Sequence, residues 1–212
     1  MTKTLYIPVM GGLCSGKSSA VNYVREHFPS STAFNEYAGE VLARHALENG
    51  LSGSKSNQVV QEIVQGTYER LEQIAAGSLG ETVVEESGLI GALAHLITDE
   101  KYGLFARYFP LMEGLLARVS AVPIFVDVPP PVAWERRKER YLAQTRRLIV
   151  QEGGDEEIIM EALRTRMQGV YENVHALFEA FPCRKIRIQN IADKEEFLQE
   201  VDQTFKYLLG EQ

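Results

Sequence analysis

The chain has 212 residues, 45% of them apolar and 24% charged, which excludes a disordered or collagen-like polymer and leaves room for one sizeable core. Its formal net charge of −7 argues against nucleic acid as a partner, because such binding draws on clustered excess Lys and Arg. Cys14 and Cys183 are too few for a disulfide framework and no apolar stretch approaches a membrane span, so a cytoplasmic protein without a membrane partner is expected.

The first predicted strand, Leu5–Met10, runs straight into Gly11-Gly12-Leu13-Cys14-Ser15-Gly16-Lys17-Ser18, and a helix-like stretch from Ser18 to Phe28 leads out. This run fits G-x-x-x-x-G-K-[ST] in the strand–loop–helix context that the pattern requires. Glycines let successive backbone N–H groups converge on a phosphate chain, and the helix N-terminus adds its partial positive charge. The segment from Gly11 to Ser19 is therefore the expected site for a nucleoside triphosphate. Lys17 would reach the β and γ phosphates, and the Ser18 hydroxyl would ligate Mg²⁺. Cys14 sits where the backbone matters more than the side chain.

The second predicted strand, Thr32–Phe34, ends in Asn35-Glu36-Tyr37. Ligands of open α/β sheets bind beyond the carboxyl ends of strands, so Glu36 should face the same crevice as the loop. A carboxylate there can take the proton of an acceptor hydroxyl during phosphoryl transfer, or it can simply favour the first turn of a helix. A polar connection, Asn49–Ser56, precedes helical spacing at Val60, Ile63, Val64, Thr67, Leu71 and Ile74. Tyr37 and Tyr68 either pack the core or stack on a substrate ring.

The third strand, Thr82–Val84, is followed by Glu85-Glu86-Ser87. An acidic residue after a strand parallel to the first can hold Mg²⁺ directly or through water. The two carboxylates point to opposite sides if the strand continues, and Glu85 is taken as the metal-side residue. After the fourth strand, Val122–Val126, three prolines (Pro129, Pro130, Pro131) mark where a helix begins. That helix carries Arg136, Arg137, Lys138, Arg140, Arg146 and Arg147. The cluster is either a clamp that closes over phosphates, with Gly153 and Gly154 as flexible points, or a solvated face paired with Glu135 and Glu139. A helical pattern from Ile159 to Phe181, a fifth strand at Lys185–Ile188 and a last helix opened by Asp193 and Glu196 complete the chain. Strands alternating with helices imply an α/β fold, a parallel sheet covered on both faces, in one domain spanning 1–212.

With these residues in place, the chain resembles the P-loop nucleoside and nucleotide kinases, the group that holds deoxynucleoside and thymidylate kinases. The likeness rests on GGLCSGKSS, NEYA, EES, FVDVPPPVAWERRKER and IRIQNIADKEEFLQEV, with some similarity of EYAGEVL and PPPVAW to nicotinamide riboside kinase-like domains. It implies a three-layer P-loop NTPase fold with a five-stranded sheet of order 2-3-1-4-5, ATP with Mg²⁺, Glu36 as base, and Arg137 or Arg140 in a lid of about residues 137–155. Glu85-Glu86-Ser87 stands where deoxynucleoside kinases carry Glu-Arg-Ser, and Gly39 stands where the nicotinamide-riboside type carries arginine. The reading is a phosphotransferase moving the γ-phosphate of ATP to a small acceptor, a nucleoside or nucleotide. Its alternatives are a regulatory NTPase and a nucleotide-binding protein without kinase activity. The amphipathic helices between residues 55 and 119 either pair with a second subunit in a homodimer or cover the sheet.

Overall fold

The computed structural model describes residues 3–49, 57–191 and 193–210; the polar connection expected at Asn49–Ser56 lies, from residue 50 onward, outside them. In chain order the elements are β1 (Leu5–Met10), α1 (Lys17–His27), β2 (Thr32–Phe34), α2 (Tyr37–Asn49), α3 (Asn57–Ala75), β3 (Thr82–Glu86) and α4 (Gly88–Thr98). They continue with α5 (Tyr102–Leu116), β4 (Ser120–Ala121), β5 (Ile124–Asp127), α6 (Pro130–Glu152), α7 (Glu156–Ala180), β6 (Ile186–Gln189) and α8 (Lys194–Leu209).

All strand pairs are parallel, in the order β2-β3-β1-β5-β6, with β4 also paired to β1. The expected order 2-3-1-4-5 is therefore present, with the fourth strand split in two. Pro123 causes the split, since it has no N–H to give to the ladder. The chain stays in register across it: Ala121 lies opposite Tyr6 and Ile124 opposite Val9.

Each face of the sheet buries its own core. Tyr6, Met10, Val83 and Phe125 face α3, α4, α5 and α7, where they meet Leu71, Leu93, Met112 and Val174 among others. Ile7, Val9, Val84, Ile124, Val126 and Ile188 point the other way, onto Ala20, Val21 and Val24 of α1 and Phe197, Val201 and Phe205 of α8. A sheet buried on both faces explains why these strands read as continuous apolar runs rather than alternating ones. Two helices start where the sequence offers an acceptor. Asp155 takes the N–H groups of Glu157 and Ile158 at 2.9 and 3.1 Å, and Asp193 those of Glu195 and Glu196 at 2.8 and 3.0 Å. Between them, α6 and α7 form a hairpin joined by Gly153 and Gly154. Among the described residues no helix is long and apolar enough to cross a membrane.

Candidate active site

The expected phosphate loop connects β1 to α1. Gly16 caps α1 in the left-handed region, at φ 101°, and offers the helix's first N–H groups no side-chain acceptor. A side chain at Gly16 would be strained by that φ and would meet the amide of Asn190, so only glycine leaves the turn open. The Ser15 hydroxyl is buried and, among the described residues, has no hydrogen-bond partner. A buried hydroxyl without a partner costs free energy unless something supplies one, and the phosphate oxygens of a bound nucleotide would do so. Lys17 is only 8% exposed. Its ammonium donates to the carbonyls of Gly12 and Gly11 at 3.0 and 3.3 Å, so it bridges the loop's own backbone.

The floor under the loop is Asn190, at the end of β6. Its side-chain amide donates to the Ser15 carbonyl at 2.7 Å and its backbone N–H to Asp127 O at 3.0 Å, while its own carbonyl accepts from Arg136 at 2.7 Å. Asn190 thus ties the loop to two strand ends and to the first turns of α6. Asn190 falls within the stretch IRIQNIADKEEFLQEV, but no motif singles it out; the signal that would have found it is a polar residue at a buried strand end.

The metal-side residue is a correction. Glu85 does not approach Ser18; the Ser18 hydroxyl donates to Glu86 Oε1 at 2.6 Å. The reason is strand alternation and register. Tyr6 lies opposite Val83, so Glu85 shares the face of Tyr6 and Val83, whereas α1 covers the opposite face, that of Val84 and Glu86. Glu85 instead lies buried between the Tyr6 hydroxyl, at 2.7 Å, and Arg70, at 3.3 Å. Burial raises its pKa, opposed by the bond from Tyr6 and by the Arg70 charge. A hydroxyl beside a carboxylate is an all-oxygen donor pair that suits a hard cation such as Mg²⁺, which takes its remaining ligands from water and phosphate. Ser18 and Glu86 therefore fit that ion, and Glu85 does not.

Glu36 sits in the two-residue joint between β2 and α2. Burial raises its pKa most; Lys17 opposes that, Glu86 adds to it, and a bond from the Ser87 side chain opposes it. Glu36 therefore lies within electrostatic reach of Lys17 and Glu86. Ser87 occupies a positive φ of 64° ahead of α4, with its N–H on the Val9 carbonyl at 2.9 Å.

The helical hairpin closes the other side of the loop. Val128, Ala133 and Met167 form a small cluster with Leu13, Cys14, Trp134 and Tyr141. The Tyr141 hydroxyl lies 3.5 Å from Cys14 Sγ. Burial raises the Tyr141 pKa, as does the bond to Cys14, and Arg137 and Arg140 oppose both. Those two arginines flank Tyr141 on α6, and among the described residues neither forms an ion pair. Arg136 is committed to Asn190, Lys138 to Glu135 at 2.8 Å and Arg146 to Glu156 at 2.8 Å, so part of the cluster is a paired surface face. Tyr68 is not at the loop: it bonds Glu72 and packs edge-on to Tyr108. Arg166 of α7, which the sequence did not single out, holds Asp99 through two bonds of 3.0 and 2.9 Å and reaches His95 Nδ1 at 3.3 Å. Burial, with Arg166 and Lys17, lowers the His95 pKa to about 4. The imidazole is therefore neutral at physiological pH.

No family model matches this chain, and no curated protein does. Solved structures of deoxyadenosine kinase from M. mycoides do. With the products dCMP and a flexible dCDP bound, that enzyme superimposes with a TM-score of 0.63 at 12% identity over 95% of this chain and 99% of its own. With dCTP bound the TM-score is 0.62 at 11% identity, again over 95% and 99%. With dATP bound it is 0.59 at 11% identity, over 95% and 98%. Over nearly its whole length, the chain has the fold of the P-loop deoxynucleoside kinases.

Proposed function

We propose that this chain is a kinase that transfers the γ-phosphate of ATP to a hydroxyl of a small neutral acceptor of the nucleoside class, in one domain with residues of about 137–155 as its lid. The observation that carries the reading is the Gly11–Ser18 loop, whose buried Ser15 hydroxyl has no partner among the described residues, with Glu36 following the end of β2 within electrostatic reach of Lys17. The loop N–H groups and Lys17 would bind the phosphates, with Lys17 leaving the Gly11 and Gly12 carbonyls to do so. Mg²⁺, held by Ser18 and through Glu86, would neutralise phosphate charge. The acceptor oxygen would attack the γ-phosphorus as the bond to the β–γ bridging oxygen breaks. Its proton would pass to Glu36 and ADP would leave. Arg137 and Arg140 of α6 would serve as the lid cations that meet the transferring group. Catalysis of this kind is mainly positioning and electrostatics.

The charge around Glu36 favours a hydroxyl over a phosphate as the acceptor group. Glu85 and Glu40 already pair Arg70, at 3.3 and 3.8 Å, and Glu86 adds its negative charge to the surroundings of Glu36. An anionic acceptor would enter a field of its own sign, whereas a neutral nucleoside would not. The opposing reading, a nucleotide-binding protein without turnover, draws on Glu86 standing where the deoxynucleoside kinases carry arginine. ADP release with a panel of nucleosides, nucleoside monophosphates and other hydroxyl metabolites separates the two. Nucleoside-dependent release is expected. Release that ignores the acceptor would point to an NTPase, and ATP binding without release would overturn the kinase reading.

A further inference from the structure

Asn35 and Glu36 belong neither to β2, which ends at Phe34, nor to α2, which begins at Tyr37. No sheet ladder fixes this joint, yet a carboxylate that receives a proton must be held to within a fraction of an ångström. One side chain reaches both ends of the joint. Arg70, on α3 and nearly buried, stacks its guanidinium over the Phe34 ring at 4.8 Å and the Tyr37 ring at 5.1 Å, and donates to the Asn35 carbonyl at 3.1 Å. The same guanidinium reaches Glu85 Oε1 at 3.3 Å, and Glu85 is fixed in turn by the Tyr6 hydroxyl at 2.7 Å.

One turn earlier on α3, Gly66 lets the Tyr37 ring lie against the helix; a Cβ there would overlap that ring. A buried arginine–carboxylate pair is a poor way to gain stability, because desolvation offsets most of the attraction. A planar cation that stacks on two rings while one of its nitrogens, Nη1, donates to both Asn35 O and Glu85 is, however, well suited to hold residues 34, 35 and 37 at once. Glu85 thereby acquires a role other than metal binding.

We infer that Arg70, backed by Glu85 and Tyr6, is a positioning residue that clamps residues 34, 35 and 37 and so aims the Glu36 carboxylate at the acceptor. The assignment of Glu36 rests on the proposed kinase reaction, and the clamp itself does not. Arg70→Lys keeps the charge and most of the stem but loses the planar stack on the two rings. It should lower kcat by about ten- to a hundredfold with the KM for ATP within about twofold, and should speed amide exchange at residues 35–38 without lowering Tm to match. Arg70→Met should do the same more strongly. In a Glu36→Gln background neither substitution should cost much further turnover, because a residue acting through Glu36 has nothing left to aim. Unchanged kcat and exchange in Arg70→Lys would overturn the inference, as would an equal loss in the Glu36→Gln background. If the wild-type chain phosphorylates no acceptor, the kinase reading fails. The clamp is then decided by exchange alone, with faster exchange in Arg70→Lys upholding it and unchanged exchange refuting it.

Discussion

Replacing Asn190 by alanine removes one hydrogen bond from beneath the phosphate loop and leaves the rest of the residue's contacts in place. Its backbone N–H still donates to Asp127, and its carbonyl still accepts from Arg136. The lost bond runs from the side-chain amide to the Ser15 carbonyl at 2.7 Å, in a setting where Asn190 is 8% exposed and Ser15 fully buried. A buried carbonyl left without a donor costs about 1–3 kcal/mol. For a chain of this size each kcal/mol moves the melting temperature by about 2–4 °C, so scanning calorimetry should record a fall of about 2–12 °C. The KM for ATP should rise as well, since the loop loses its tie to β6. Asn190→Asp sharpens the test: it keeps the shape but sets an acceptor against the Ser15 carbonyl, and should be worse than alanine. A melting temperature unmoved by Asn190→Ala, with ATP affinity intact, would refute the claim that this bond supports the loop.

Lys17→Ala removes the ammonium from the loop and should lower ADP release by about a hundredfold or more while circular dichroism is unchanged; near-normal turnover would defeat the phosphate-loop assignment. Glu36→Gln should reduce kcat by about 10²–10⁴-fold and remove the acid limb of the kcat–pH profile, a limb that begins above the ordinary carboxylate range because burial raises this pKa. The sign for stability is opposite: the folded chain holds that proton more tightly than the unfolded one, so stability falls as pH rises from the usual carboxylate value through the raised one. Melting curves should accordingly show Glu36→Gln more stable than wild type above that window and equal below it. Glu86→Gln should raise the Mg²⁺ concentration needed for half-maximal turnover by about tenfold, and an unaltered requirement would remove Glu86 from the metal side.

What the sequence determined by itself is local. The Gly11–Ser18 pattern needs only a strand before it and a helix after it, and both are written in adjacent residues. The alternation of buried apolar runs with helical spacing likewise announces a parallel sheet covered on both sides, and Asp193 caps α8 through neighbours two and three positions on. Side-chain pairing across the fold was not legible. Whether Glu85 or Glu86 meets Ser18 depends on the register of β3 against β1 and on which face α1 covers, and a shift of one residue exchanges the two carboxylates. Arg70 looks in sequence like one more charge on an amphipathic helix; only packing of α3 against β2 and the start of α2 turns it inward over Phe34 and Tyr37. Asn190 and Ser15 are 175 positions apart, and no local rule joins them. Motifs record the contacts a segment makes with its ligand and with itself, whereas residues that hold a motif in place come from wherever the sheet order brings another strand end alongside.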